Sequence, residues 1–262
     1  MREPERDPGL TEAFRSTGGV TELARRLGIS QPSVSAWSRV PAERVAAVEA
    51  ATGIPRHKLR PDLYDENFSA EEVDDVDAAR ASEYIFLSTL LLRAPDARLI
   101  KRIAGLRADA SPLGLLHAEL ADAADRFKLE DIELEFFNIF VGIGRGELLP
   151  YASYYLTGFL HERPLARLRE DLIALGIERA EDMYEPEDHI GILFEIMGGL
   201  ASKRLPAPEG SDRKIFEKHL KPWAARFFSD LEYTKSAKFY RAVGRLGRTF
   251  MEIEAEAFSL GD

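Results

Sequence analysis

The chain has 262 residues, of which 45% are apolar and 31% charged, with 35 Lys and Arg against 45 Asp and Glu. That length suits one large or two unequal domains, and the composition is that of a globular protein rather than a disordered one. There is no cysteine. This excludes disulfides, thiolate metal sites, iron–sulfur ligation and cysteine nucleophiles. The longest nearly apolar run, residues 84–92, is far short of the roughly 20 residues of a membrane span, so membrane insertion is not expected. Residues 1–8 carry no apolar signal core, and the expected location is cytoplasmic.

The charge is unevenly spread. Residues 1–63 hold ten Lys/Arg and eight Asp/Glu, a net +2, while residues 64–262 carry −12. Within 15–60 the balance is +5. Such asymmetry points to two functions in one chain.

Residues 20–39 have the pattern of a helix-turn-helix. With Val20 as the first position, Ala24 is the small residue where the second helix crosses. Gly28 supplies the positive φ of the turn. Val34 plugs the space between the helices, with Leu23, Leu27, Ile29 and Trp37 around it. Ser30 is a suitable N-cap for the second helix and Pro32 suits its first turn. Residues near that helix's start face base edges in a docked helix-turn-helix, which nominates Gln31, Ser33 and Ser35. Arg25, Arg26, Arg39 and Arg44 could reach phosphates. The run Gly18-Gly19-Val20 … Leu23-Ala24-Arg25-Arg26-Leu27-Gly28-Ile29-Ser30 … Val34-Ser35-Ala36-Trp37, continuing to Tyr64, resembles the YdaS-like, Cro-type bacterial regulators over about 16–65. The resemblance implies DNA binding, and operators of two half-sites would then require a homodimer. The plainer alternative is a helix-turn-helix used only for protein contact.

A boundary is expected at 61–75, where Pro61 is followed by the acidic Ser69-Ala70-Glu71-Glu72-Val73-Asp74-Asp75. This gives a small domain at 1–65, an acidic linker at 66–75 and a larger domain at 76–262. The alternative for the acidic stretch is the first turn of the next helix.

Beyond it, apolar residues recur at helical spacing. Leu113, Leu116, Leu120, Ala124 and Phe127 follow a Ser111 cap and Pro112. Leu165, Leu168, Leu172 and Leu175 end at Gly176, and Ile190, Leu193, Phe194, Met197 and Leu200 form a third set. No hairpin dipeptide or sustained alternation appears. The fold class is all-α.

No phosphate-binding loop, serine elbow or zinc-protease motif is present, so neither an enzyme nor a cofactor is expected. Three clusters stand out. Phe136, Phe137 and Phe140 lead through Gly142-Ile143-Gly144 to Pro150, Tyr151, Tyr154, Tyr155 and Phe159. Each of these aromatics is either core or the lining of a groove for an apolar helix. The segment Glu185-Pro186-Glu187-Asp188-His189 is expected to start a helix at Pro186, with Glu187 and Asp188 in its first turn, or to present an exposed Asp188–His189 pair. His219-Leu220-Lys221-Pro222-Trp223 belongs to a helix interrupted at Pro222, with Trp223 in the core.

In order and spacing these clusters resemble the TorD/DmsD family of redox-enzyme maturation chaperones over about 76–257. Tyr151 and Tyr155 stand where tryptophans are frequent in that family. The resemblance implies a helical fold that binds a molybdoenzyme catalytic subunit, often through its twin-arginine signal peptide, before cofactor insertion. Formate dehydrogenases and S/N-oxide reductases are the implied client classes. By position, Tyr151, Asp188 and His189 would line the peptide site, with Phe137, Phe140, Gly144 and Tyr155 nearby. A basic-then-apolar peptide suits an acidic, aromatic face. The alternative function is a DNA-binding regulator whose C-terminal part senses a ligand or a protein.

Overall fold

The computed structural model describes residues 6–61, 63–64, 74–179 and 184–260. Most of the expected acidic linker lies outside these residues.

Residues before that gap form five short helices around one core. They are α1 (Pro8–Thr17), α2 (Val20–Leu27), α3 (Gln31–Ser35), α4 (Val45–Thr52) and α5 (Arg56–Leu59), with a 3₁₀ turn at Ala42–Arg44. Gly28 ends α2 at φ +69°, the conformation the turn requires. Ser30 caps α3, its hydroxyl accepting the Ser33 N–H. Leu23, Ala24 and Val34 are buried with Leu10, Ala13, Val45, Val48 and Leu59, and Leu27, Ile29 and Trp37 pack against them. The expected helix-turn-helix is therefore present, and α1, α4 and α5 close its core.

The second core is built by α6 (Asp75–Leu92), α7 (Ala97–Ala104), α8 (Pro112–Arg126), α9 (Leu129–Phe136), α10 (Ala152–Thr157), α11 (Arg163–Ala174), α12 (Ile190–Ala201), α13 (Ser211–Ile215), α14 (Ala224–Tyr233) and α15 (Phe239–Leu260). Single π-helical turns extend α9 through Phe137–Val141 and α13 through Phe216–Leu220. Asp74 caps α6 and Asp75 and Asp77 lie in its first turn, so the acidic stretch ends by starting a helix.

α12 is apolar on almost every side, and only Glu195 along it is exposed. Such a helix belongs at the centre. It packs along α6, while α14 lies along α15 and α15 crosses α8. Tyr84 of α6 joins these layers, its ring edge-on to Phe194 of α12 at 5.1 Å and to Phe250 of α15 at 4.7 Å. Its hydroxyl donates to Glu254, which also takes Arg80, so the buried carboxylate is paired as burial demands. Among the described residues there is no strand, only one isolated bridge between Tyr151 and His189. No described helix is long and apolar enough to cross a membrane.

Candidate functional site

The site forms where α10 and α12 begin side by side. The first N–H groups of a helix lack internal partners and need acceptors. At α12 the His189 Nδ1 accepts the Gly191 N–H at 3.0 Å. At α10 the acceptor comes from across the fold: Asp188 Oδ2 takes the Ser153 N–H at 2.8 Å. The backbone completes the junction, with Ala152 N–H donating to Asp188 O at 3.0 Å and Ile190 N–H to Pro150 O at 2.8 Å. Adjacent residues 188 and 189 thus cap two different helices.

This corrects two expectations. Asp188 and His189 are not an exposed pair, being 1% and 5% accessible, because Asp188 Oδ2 and His189 Nδ1 each accept from a helix start inside the fold. The helix starts at Ile190 rather than Pro186, so Glu187 and Asp188 precede it. Glu187 instead receives both Arg169 Nε and Nη2, the latter at 2.7 Å. Burial pushes its pKa up, and Arg169 more than reverses this, leaving it below the usual range. Burial alone pushes His189 down to about 4, so it is neutral at pH 7.

Tyr151 sits on this junction, its ring edge-on to His189 at 5.2 Å. Its hydroxyl donates to Glu185 Oε2 at 2.6 Å. One turn later Tyr155 donates to Asp230 Oδ2 of α14 at 3.0 Å, and its ring lies 5.3 Å from Trp223 and 5.9 Å from Phe227. Burial first, and the adjacent carboxylate second, raise both phenols well above their ordinary range. Both tyrosines therefore donate at any physiological pH. The Arg226 guanidinium lies over the Tyr155 ring at 5.8 Å. A half-buried aromatic ring with a carboxylate held at its edge is a receptor for guanidinium, through the ring face and a charge-assisted hydrogen bond.

The other expected peptide residues are placed less uniformly. Phe137 is 39% exposed on the π-helical turn after α9. Phe140 turns inward, packing on Phe136 at 5.1 Å and on Tyr240 at 5.4 Å. It is half-buried at the edge of the core, on the π-helical turn that follows α9. Gly144 is exposed at φ +87° in the following loop. That loop reaches α10 through Arg145, which donates to the Tyr154 hydroxyl at 2.6 Å. Trp223 is buried as expected, its Nε1 donating to His219 O at 2.6 Å. Asp230 carries no local sequence signal, because its partner is 75 positions away and no short-range pattern links them. Glu185 was visible only as one acid within an acidic segment.

At the helix-turn-helix, Gln31, Ser33 and Arg39 are exposed and Ser35 is half-buried. Gln31 Nε2 donates to Ser35 Oγ at 2.7 Å, and Ser30 and Ser33 hydroxyls lie 2.7 Å apart. Arg25 grips Glu22 through Nε and Nη2, and Arg26 donates to Ala51 O at 2.8 Å. These groups would exchange local partners for a ligand's. Among the described residues no group of three or more His, Asp or Glu could hold a metal ion.

The family model described as nitrate reductase delta subunit matches residues 106–229, and the one described as bacterial toxin YdaS matches 10–68. The chaperone protein TorD of Vibrio cholerae is 27% identical over 205 residues, covering 70% of this chain and 93% of that protein. TorD of Shewanella loihica is 24% identical over 202 residues, covering 68% and 92%. TorD of Aliivibrio salmonicida is 29% identical over 141 residues, covering 48% and 66%. A crystal structure of a proposed redox enzyme maturation protein from Archaeoglobus fulgidus is 21% identical, with a TM-score of 0.45 over 71% of this chain and 99% of that one.

Proposed function

We infer that the chain is a redox-enzyme maturation chaperone of the TorD kind with a YdaS-like helix-turn-helix ahead of it, and that it binds a molybdoenzyme precursor in the cytoplasm. The proposed division is a small unit at 1–65, a linker at 66–75 and a larger unit at 76–262, with the two separate cores in support and the end of the linker taken up by the start of α6. The proposed ligand is the precursor's basic-then-apolar twin-arginine segment. The client classes are formate dehydrogenase and S/N-oxide reductase, with nitrate reductase added by the description of the matching family model.

One observation carries the reading: Tyr151 and Tyr155, one helical turn apart, each hold a carboxylate on the hydroxyl. The Tyr151–Glu185 unit suits an incoming guanidinium, and the Tyr155–Asp230 unit, with Arg226 over its ring, shows the same pairing made within the chain. In this reading Tyr151, Tyr155, Glu185 and Asp230 meet the peptide, and Phe137, Phe140 and the loop at Gly144 flank it. Asp188 and His189 hold Tyr151 in place and do not touch the ligand. The helix-turn-helix binds DNA through Gln31, Ser33 and Ser35, with Arg25, Arg26 and Arg39 on phosphates, as a homodimer on paired half-sites.

The test is titration of the full chain with a synthetic peptide of two adjacent arginines followed by an apolar run. Replacing both arginines by glutamine is expected to weaken binding by about tenfold or more. Glu185→Gln in the protein should remove most of that difference while leaving the melting temperature near wild type. Equal binding of both peptides would overturn the reading.

A further inference from the structure

The two cores share no residue, yet the units they define meet. Residues 173–179, at the end of α11 and in the turn after it, together with Pro208, face α3 and the loop behind it across a cleft of about 1260 Å³. At its edge Gly176, at φ +69°, leaves room for the other unit. A Cβ built there lies 3.4 Å from Ala42 Cβ and 3.5 Å from Arg60 Nη2. One wall of the cleft is Ser30, Ser33, Trp37 and Arg39. This is the edge of the helix-turn-helix assigned above to bases and phosphates. The opposite wall includes Ile173, Ala174, Glu178 and Arg179.

We propose that the larger unit docks against one edge of the DNA-reading surface, so that the docked arrangement and DNA binding exclude each other. The proposal rests on the DNA reading of the helix-turn-helix. To enter a major groove about 12 Å wide, the start of α3 must be free on both flanks for the two phosphate backbones. Here the flank bearing Ser33 and Arg39 faces residues 173–179 instead. Charge supports the same competition: residues 64–262 carry −12 and residues 15–60 carry +5. An acidic body beside a basic reading surface attracts that surface and repels the duplex. The contact is light, with no hydrophobic core shared across it. A light contact suits a switch, because a modest difference in affinity then shifts the population. Linkage makes the effect reciprocal: whatever stabilises docking weakens DNA binding, and DNA opens the cleft.

The absence of cysteine allows a direct test. Ala42→Cys with Gly176→Cys introduces one pair, and the 3.4 Å between its Cβ positions is close to the roughly 3.5–4.5 Å of a disulfide. Ala174→Trp is a second variant, an uncharged wedge at an exposed position in the cleft wall. The probe is a fluorescent duplex of random sequence at low salt, read by anisotropy. The double-cysteine protein should form an intramolecular disulfide with oxidised glutathione. In that form it should bind the duplex about tenfold weaker than after reduction, the size of an ordinary coupling between sites. Ala174→Trp should bind it more tightly than wild type. Failure of the pair to crosslink, or equal binding by oxidised and reduced forms together with an unchanged Ala174→Trp, would overturn docking as a gate. Crosslinking with no duplex binding by any form, wild type and Ala174→Trp included, would remove the DNA reading and the gate with it.

Discussion

His189 and Asp188 show how one side chain can read as a ligand contact and serve as a clamp. In sequence they are a carboxylate and an imidazole beside an acidic turn, which is what a basic peptide would want. In the fold both are withdrawn from solvent by helix termini. His189 makes a signed prediction. Its folded pKa is about 4 against an ordinary 6.5, so the unfolded chain binds the extra proton first. Its contribution is fully present above pH 6.5, falls as pH drops from about 6.5 to about 4, and is then flat; the loss is about 3 kcal/mol. His189→Asn keeps a capping acceptor and removes the titration. Urea unfolding at about pH 7 and about pH 4 should show the stability of the variant relative to wild type rising by that amount at the lower pH. Parallel pH dependences would contradict the assignment. Substituting Ala at Asp188 or His189 would report lost helix starts rather than lost ligand contacts, so Glu185 and Tyr151 are the informative positions.

At the scale of elements, α3 and its Ser30 cap, α8 with its Ser111 cap, and the break before α14 were legible because their signals are local: a cap, a proline, an apolar stripe. Long-range caps were not. Glu135 of α9 is buried and accepts the N–H groups of Lys238, Phe239 and Tyr240, the first two bonds being to different oxygens. It caps α15 from about a hundred residues away, which no spacing rule reveals. Burial pushes its pKa up, against the pull of those three donors. Glu135→Ala should cost about 2–3 kcal/mol, as expected for charge-assisted bonds lost together with buried donors left unpaired. Amide exchange at 238–240 should accelerate, and Glu135→Gln should recover part of the loss. The closeness of α14 and α15 has a similar origin. A Cβ at Gly247 would lie 2.1 Å from the Phe228 ring, and one at Gly244 would lie 2.6 Å from the Glu232 backbone N. Gly247→Ala should therefore destabilise by about 1–3 kcal/mol through overpacking, despite its better helix propensity. A thermal melt that rose would contradict the packing.

For the whole molecule, the sequence already divides by charge, and the structure divides by core. The all-α class and the helix-turn-helix could be read from periodicity and turn chemistry. The chaperone likeness could be read from the order of its clusters. The binding face could not, because Tyr151 and Tyr155 take their carboxylates from segments 34 and 75 residues away, and the π-helical turn that carries Phe137 and Phe140 leaves no strong mark in sequence. The central claim is client binding at that face. It is tested most directly by affinity capture from the native cytoplasm with the full chain, beside a Tyr151→Ala/Glu185→Gln variant that melts within a few degrees of wild type. A molybdoenzyme catalytic subunit should be enriched by wild type and lost by the variant. Enrichment of no such subunit, or equal enrichment by both proteins, would contradict it.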